Sequence, residues 1–252
     1  MTPTTSHIAL VTGASRGIGK ATARLLAEHG WDIAVNYARD GAAADLVVAD
    51  VQRLGQRALA VKADVADEAA VLAMFDAVEE KLGPINALVN NAGIVDLKAR
   101  LEEMSAARIR RMFEVNVLGT MLCAREAVKR MSTQHGGTGG VIVNLSSVAA
   151  TLGAPGMYVD YAASKGAIDS FTVGLARELA SEGVRVNAVR PGIIDTEIHA
   201  ASGDAMRAFA SSSLIPLQRP GTPLEVAQAI AWLISDEAAY VTGAVLDVSG
   251  GR

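Results

Sequence analysis

The chain has 252 residues, of which 50% are hydrophobic and 4% aromatic, so we expect one α/β domain over residues 1–252 with a core of small aliphatic side chains. Its net charge of -4 comes from 27 acidic and 23 basic residues without a basic run, which predicts no nucleic-acid partner. No segment approaches the roughly 18 apolar residues of a membrane span, and the start lacks signal-peptide features. With a single cysteine, Cys123, the chain is predicted to be cytoplasmic, without disulfides or a membrane partner.

Short β-rich runs alternate with longer segments of helical period along the whole chain. The strand candidates are, in order, IALVT, DIAVNY, RALAVKA, NALVN, GVIVNLSS, VRVNAVR and AVLDVS. The helix candidates are IGKATARLLAEHG, AAADLVVADVQRLG, DEAAVLAMFDAVEEKLG, a span from about Ser105 to Met131, YAASKGAIDSFTVGLARELASEG and TPLEVAQAIAWLISDE. The last begins with a capping box at Thr222 and Glu225. This alternation predicts a doubly wound, Rossmann-type, mainly parallel seven-stranded sheet with helices on both faces.

The segment VTGASRGIGKA follows the first strand candidate and begins the first helix. Its glycine spacing, G-x-x-x-G-x-G, permits a tight turn and a close approach of backbone N–H groups to a pyrophosphate. The predicted dinucleotide-binding residues here are Gly13, Ser15, Arg16, Gly17, Ile18 and Gly19. A plain βα turn is the structural alternative. The same residues also read G-x-S-x-G, the nucleophile elbow of hydrolases, but no earlier βα loop precedes Ser15 to complete such a site.

The end of the second strand candidate, DIAVNYARD, bears on the choice of dinucleotide. In this architecture a carboxylate there favours NAD, whereas an arginine accommodates the 2′-phosphate of NADP. Asn36 stands where an acid would be expected, and Arg39 and Arg16 are close by, so we predict NADP(H), with NAD(H) possible because Asn36 can bond an unphosphorylated ribose. Asp64 either binds the adenine or caps the following helix. The predicted adenosine site comprises Asn36, Tyr37, Arg39, Asp64 and Val65.

The stretch YVDYAASKGAID contains two tyrosines before one lysine. Tyr161 and Lys165 are four residues apart and share a helix face, so the ammonium can lie beside the phenol. A unit charge about 4 Å away at an effective dielectric near 20 is worth roughly 4 kcal/mol, enough to move a tyrosine pKa from about 10 toward about 7. Pro155 and Gly156 place Tyr158 where the helix has barely begun. We therefore predict that Tyr161 is the acid–base residue and that Tyr158 lines the pocket.

A reacting carbonyl also needs a second hydrogen-bond donor, and the fifth strand candidate ends in two serines. Strand alternation aims Ser146 and Ser147 at opposite faces, so from the pattern alone either one can be that donor.

Together TGASRGIG, NNAG at 90–93, NLSS, YAASK and RPG at 190–192 resemble the short-chain dehydrogenase/reductase family in its compact one-domain form, over essentially the whole chain. The resemblance implies that Ser147 binds the substrate oxygen and that Tyr161 is the acid–base residue. It implies that Lys165 lowers the pKa of Tyr161 and holds the nicotinamide ribose, and that Asn116 supports a water-linked proton path. The further cofactor contacts that it implies are Tyr161, Lys165, Asn91, Ala92, Gly93, Pro191, Gly192, Ile194 and Thr196.

One feature departs from the family pattern. Ser147 and Tyr161 are fourteen residues apart, one more than is common, so the loop GAPG between them is expected to bulge into the pocket.

The predicted function is hydride transfer between NADP(H) and a ketone, aldehyde or sugar. A 3-oxoacyl thioester reductase is one alternative, for which Lys129, Arg130 and Arg177 would receive an acyl carrier. The other is a non-catalytic dinucleotide-sensing module, against which the Ser, Tyr, Lys and Asn set argues.

Three further expectations concern the surroundings of the site. The irregular region at about 191–220 is a candidate substrate lid. No metal is expected, because four histidines and one cysteine show no zinc-like spacing. Family members are usually oligomers, so we expect a homo-oligomer, a dimer or a tetramer, with the apolar helices around Cys123 and Ile168 as candidate contact faces.

Overall fold

A single parallel sheet organises the computed structural model, which describes residues 7–196 and 212–252. Its seven strands lie in the order β3-β2-β1-β4-β5-β6-β7, and every neighbouring pair is parallel. The strands are β1 (Ile8–Val11), β2 (Asp32–Tyr37), β3 (Ala58–Lys62), β4 (Ala87–Asn90), β5 (Gly140–Leu145), β6 (Val184–Pro191) and β7 (Val245–Val248). The strand order reverses between β1 and β4, so a crevice for ligands forms beyond their carboxyl ends. The predicted doubly wound fold is confirmed.

The helices that connect the strands follow the predicted segments closely. They are α1 (Gly17–Glu28), α2 (Gly41–Arg53), α3 (Glu68–Lys81), α4 (Ala106–Phe113), α5 (Gly119–Met131), α6 (Ala149–Leu152), α7 (Val159–Leu179) and α8 (Pro223–Ile234). The predicted capping box of α8 is present, with Thr222 Oγ1 accepting from the Glu225 N–H and Glu225 Oε2 accepting from the Thr222 N–H. One prediction needs correction, because the span from Ser105 to Met131 is two α-helices joined by a π-helical turn, Glu114–Leu118.

The two faces of the sheet bury separate apolar clusters. Alternating residues of β1 divide between them: Leu10 packs on one face, and Ala9 and Val11 pack on the other. Helices α3, α5 and α7 cover the first face, and α1, α2 and α8 cover the second. Both faces are covered, which explains why the strands are apolar runs.

Cys123 and Ile168 belong to this core, since both have 0% exposure. These two side chains therefore offer no surface to a partner subunit. Burial, with the charge of Glu126 adding to it, raises the pKa of the Cys123 thiol to about 12. No helix within the described residues is long and apolar enough to cross a bilayer.

Two helical glycines should respond in opposite ways to an added methyl group. A Cβ at Gly119 would lie 2.6 Å from Val65 Cγ2, whereas nothing lies within 4 Å of a Cβ at Gly174. We expect Gly119→Ala to lower the free energy of unfolding by about 1–3 kcal/mol through overpacking. Gly174→Ala should raise it by about 0.5–1 kcal/mol, because alanine has the higher helix propensity. Chemical denaturation measures both, and a clear loss at Gly174 would contradict the open surroundings of that position.

Candidate active site

The glycine-rich turn between β1 and α1 has the backbone conformation that its sequence predicts. Gly13 and Gly17 have φ angles of 61° and 54°, in the left-handed region that favours glycine. Gly19 is needed for packing, because a Cβ there would lie 2.6 Å from Gly13 O. Arg16, the N-cap residue of α1, makes no side-chain cap hydrogen bond, so the first N–H groups of the helix are available to an anion.

Two asparagine side chains hold this turn through hydrogen bonds to its backbone. Asn91 Nδ2 donates to Thr12 O at 2.8 Å and to Gly13 O at 3.0 Å. Asn36 Oδ1 accepts from the Gly13 N–H at 3.1 Å, and its Nδ2 donates to Ala63 O at 3.1 Å. Asn36 is only 1% exposed. Its amide is thus engaged with backbone groups, and the structure uses it as a brace for the glycine turn rather than as an open ribose ligand.

The turn opens into a cavity of about 370 Å³. The predicted cofactor residues that line it are Gly13, Ser15, Arg16, Gly17, Ile18, Asn36, Tyr37, Arg39, Asp64, Val65, Asn91, Ala92, Gly93 and Thr196. Among the predicted residues of the glycine-rich turn, only Gly19 does not line this cavity, because it is buried. The open helix terminus and the glycine cradle fit a dinucleotide.

Asp64 sits at the far side of this cavity in an ion pair that the sequence did not indicate. Its Oδ2 accepts from Arg111 at 2.6 Å, and its Oδ1 accepts from the Ala66 N–H at 3.0 Å. Although burial opposes it, these bonds and the charge of Arg39 hold the pKa of the Asp64 carboxyl below its usual value. Asp67, not Asp64, caps α3.

Lys165 is the most deeply buried cation of the site. It is 5% exposed, and its Nζ donates to Leu145 O at the end of β5 at 2.6 Å. Burial lowers the pKa of Lys165 to about 8, and the charge of Asp169, one helical turn further along, opposes that shift.

The two tyrosines occupy different environments at the start of α7. Tyr158 is the N-cap residue and is 3% exposed, whereas Tyr161 lies in the first turn and is partly exposed. Lys165 Nζ lies 5.7 Å from the centroid of the Tyr161 ring. Both tyrosines line a cavity of about 200 Å³. The ammonium thus lies beside the predicted phenol.

Ser146 and Ser147 both line that cavity, although their hydroxyls bond different segments of the chain. β5 ends at Leu145, and the alternation of the strand does not extend beyond it. Ser146 is 3% exposed, and its hydroxyl donates to Lys165 O at 3.2 Å. Ser147 Oγ accepts from the Ala149 N–H at 3.1 Å and keeps its own proton to donate.

Asn116 lies on the π-helical turn between α4 and α5, a distortion that is frequent at functional sites. It is fully buried, and its side chain accepts from the Ile94 N–H at 2.8 Å and donates to Ser164 Oγ at 3.1 Å. A Cβ on Gly93 would be 3.4 Å from Asn116 Oδ1 and 3.5 Å from Lys165 Nζ. Asn116 therefore joins the loop after β4 to the helix that bears the predicted tyrosine.

A buried ion pair beside Tyr161 was not predicted. Arg108 Nε donates to Asp160 Oδ2 at 2.8 Å, and the Asp160 side chain is 1% exposed. Asp160 Oδ1 accepts from the Tyr161 N–H at 2.9 Å, and Arg108 also donates to Leu97 O at 2.7 Å. The pair fastens the start of α7 to the loop after β4. Its members are 52 residues apart, so no local pattern could reveal it.

The GAPG loop, for which the extra residue predicts a bulge that reshapes the pocket, contains three residues with positive φ. Gly153, Ala154 and Gly156 have φ angles of 73°, 45° and 69°. Ala154 and the nearby Met157 line the cavity of the tyrosines. A left-handed alanine is uncommon and marks a constrained bend in the pocket wall.

The cavity of the tyrosines adjoins the glycine-rich cavity, because Ile18, Asn91, Gly93 and Thr196 line both. It brings together the predicted residues Ser147, Tyr161, Lys165, Pro191, Gly192, Ile194 and Thr196. Lining residues that were not predicted are Val95, Leu145, Val148, Ala149, Leu152, Ala154, Met157, Ile193 and Arg252. No described histidine lines either cavity, which leaves the hydrolase elbow without its base. Over residues 7–196 and 212–252, no cluster of three or more His, Cys, Asp or Glu side chains is arranged for a metal.

The predicted lid is described only at its two ends. Residues 197–211 lie outside the described residues. At the ends, Gly221 donates to Ile193 O at 2.9 Å, and Leu217 donates to Gly250 O at 3.1 Å.

Comparisons with known proteins were made over the full sequence. The family model described as enoyl-(acyl carrier protein) reductase matches residues 13–252. The oxidoreductase YgfF of Escherichia coli is 54% identical over 245 residues, covering 97% of this chain and 99% of the relative. A 3-oxoacyl-[acyl-carrier-protein] reductase of Synechocystis is 43% identical, covering 100% of this chain and 98% of that protein.

A solved structure agrees with these sequence matches. The crystal structure of a short chain dehydrogenase from Burkholderia cenocepacia in complex with NADP is 37% identical, with a TM-score of 0.88 and 97% of each chain covered. With a seven-stranded Rossmann-type sheet and a family match over nearly its whole length, the chain belongs to the short-chain dehydrogenase/reductase family of NAD(P)-dependent oxidoreductases.

Proposed function

We propose that this enzyme prefers NADP(H) and moves a hydride between the nicotinamide and a carbonyl or secondary-alcohol substrate. The observation that carries the proposal is that Ser147, Tyr161 and Lys165 line one cavity, which adjoins the glycine-rich cavity. When bound, the nicotinamide supplies or accepts the hydride at its C4 atom.

The residues proposed to hold the cofactor each bind a different part of it. The open N–H groups at the start of α1 bind the pyrophosphate, and Arg16 and Arg39, both exposed at the cavity wall, bind the 2′-phosphate. Asp64 binds the adenine, with Arg111 fixing its carboxylate. Lys165 holds the nicotinamide ribose. The NADP in the Burkholderia cenocepacia relative supports this preference, and binding of NAD(H) remains compatible with it.

The residues of the second cavity then handle the proton. Tyr161 donates a proton to the carbonyl oxygen during reduction and removes it from the alcohol in the reverse direction. The Ser147 hydroxyl donates a hydrogen bond that orients that oxygen and stabilises its developing negative charge. The Lys165 ammonium favours the ionised phenol, and Asn116 positions the loop and helix on which the proton path depends.

The cavity wall favours a substrate with an apolar body. Val95, Val148, Leu152, Met157 and Ile193 contribute to it, and no acidic residue does so within the described residues. A sugar needs several hydrogen-bond partners, and most of the residues that line this cavity are apolar. Among the predicted substrate classes, a ketone or its secondary alcohol therefore fits better than a sugar.

A 3-oxoacyl thioester reductase remains the second candidate, and the 43% identity to the Synechocystis enzyme favours it. Two of the three predicted carrier-docking cations are already paired with carboxylates, which argues against it. Lys129 Nζ binds Glu126 at 2.9 Å, and Arg130 pairs with Asp76 at 2.6 Å and with Glu79 at 3.1 Å. Turnover of small ketones and of oxoacyl thioesters with each reduced cofactor, followed by absorbance, decides between the two.

The remaining parts of the proposal are a homo-oligomer, as a dimer or tetramer, and a substrate lid at about 191–220. The sensor alternative is disfavoured because Ser147, Tyr161, Lys165 and Asn116 are all present and connected.

Tyr161→Phe should lower kcat by about 100- to 10,000-fold, because the acid–base hydroxyl is lost, while the Kd for NADPH stays within about twofold. Tyr158→Phe is the matched control, since it removes a hydroxyl from the wall of the same cavity, and its kcat should stay within about tenfold. NADPH absorbance and fluorescence titration measure the two quantities. Equal turnover by wild type and Tyr161→Phe would end the assignment.

Arg39→Ala should weaken NADPH binding by about tenfold or more and leave NADH within about twofold, because it removes a charge-assisted bond to the 2′-phosphate. Arg53→Ala removes the same charge from the exposed end of α2, outside the cavity, and should change neither affinity. Calorimetric titration measures both cofactors, and equal losses for NADPH and NADH would sink the 2′-phosphate role.

Lys165 should give the pH profile of reduction an alkaline limb. Its pKa is about 8, so the ammonium, and with it kcat/KM, is lost as the pH rises through that value. Asp169→Asn removes a charge that raises this pKa, and the limb should therefore move to lower pH. Asp247→Asn is the control, because it removes only the other carboxylate partner of Arg190. A limb that stays in place in Asp169→Asn contradicts the assignment.

A further inference from the structure

Arg252 lines the cavity that holds Ser147 and Tyr161, and the catalytic scheme gives it no role. Arg252 and Lys165 are the only charged residues among the described lining residues. The Lys165 ammonium is already bonded to Leu145 O beside the Tyr161 ring. The guanidinium of Arg252 is therefore the charged group of this wall that remains available to a ligand.

The chain after β7 turns back to bring Arg252 to this wall. Gly250 and Gly251 have φ angles of 68° and 90°, which an L side chain rarely adopts. Gly250 O accepts from the Leu217 N–H at 3.1 Å, and Ser249 Oγ donates to Arg252 O at 3.0 Å. The backbone of Arg252 is thus fixed by the fold.

No described carboxylate side chain pairs with the guanidinium of Arg252. This guanidinium makes no hydrogen bond and no ion pair within the described part of the chain. Arg190 and Arg219, on either side of the lid region, pair instead with carboxylates at 3.0 Å and 2.5 Å. A partly buried cation on a mainly apolar wall attracts an anion, and a guanidinium matches a carboxylate in shape.

We propose that Arg252 is an anion subsite that binds a carboxylate of the substrate, so that the substrate class is an apolar hydroxy or oxo carboxylic acid. The proposal rests on the proposed oxidoreductase function. Ser147 and Tyr161 hold the reacting oxygen, the apolar wall contacts the body, and Arg252 binds the acid group. A carboxylate fits better than a phosphate, because a single unpaired cation and a cavity of about 200 Å³ suit a small monoanion.

Binding of an unreactive acid tests the subsite without turnover. Cyclohexanecarboxylate and cyclohexanecarboxamide are titrated calorimetrically into enzyme saturated with NADP⁺. Wild type should bind the acid at least about tenfold more tightly than the amide, and Arg252→Gln should lose that preference. Arg53→Gln makes the same charge change on α2, outside this cavity, and should keep it.

Turnover supplies the second readout. With NADPH, Arg252→Gln should raise the KM for 4-oxocyclohexanecarboxylate about tenfold with little change in kcat, and should leave the methyl ester unaffected. Equal binding of acid and amide by the wild type would overturn the subsite. A loss of NADP⁺ affinity in Arg252→Gln as large as its loss of acid affinity would also overturn it, because the cation would then belong to the cofactor site.

The two proposals fail in distinguishable ways. Reduction of the ester without any preference for the acid leaves the oxidoreductase function standing and overturns the subsite. Arg252-dependent binding of the acid, with neither ketone reduced, leaves the subsite standing and overturns the proposed function.

Discussion

The site depends on one buried ammonium. Lys165 is 5% exposed, bonded to Leu145 O at 2.6 Å and set 5.7 Å from the centre of the Tyr161 ring. Burying a cation is costly, and the lowered pKa of Lys165, about 8, records that cost. In the proposed mechanism this charge, which little water screens, favours the ionised form of the neighbouring phenol. Two hydrogen bonds between the end of β5 and α7 maintain this arrangement, from Lys165 Nζ to Leu145 O and from Ser146 Oγ to Lys165 O.

Buried amide side chains place the loops around that charge. Asn36 and Asn91 bond the backbone of the glycine turn, and Asn116 bonds the loop after β4 and Ser164 on α7. A buried amide without partners would cost stability, so each of these side chains fixes the backbone that satisfies it. These hydrogen bonds therefore hold the loops that line the glycine-rich cavity and the cavity of the tyrosines.

Local patterns predicted the seven strands, most of the helices and the pairing of Tyr161 with Lys165, because each depends on residues close in sequence. The choice of Ser147 over Ser146 came only from the family resemblance. The π-helical turn at Asn116 carries no such pattern, and the span was expected to be one helix. The bond of Arg108 to Asp160 was missed because it joins distant segments.

The position of Asn36 matched that of a ribose ligand, yet the side chain faces the backbone of neighbouring loops, which strand periodicity cannot reveal. Arg252 was missed for a similar reason, since only the turn at Gly250 and Gly251 brings it to the cavity. Sequence thus predicts which elements carry the chemistry, whereas packing decides which side chains remain open to a ligand.

The most direct measurement of the central claim is the ionisation of Tyr161 itself. Carbon-13 NMR of ring-labelled tyrosines would follow each phenol through a pH titration, with Tyr161 assigned by its loss in Tyr161→Phe. Tyr240 is fully exposed and serves as the internal reference. We expect Tyr161 to ionise at a clearly lower pH than Tyr240, and this difference to disappear in Lys165→Met. Ionisation of both tyrosines at the same pH in the wild-type enzyme would contradict the role of the buried ammonium.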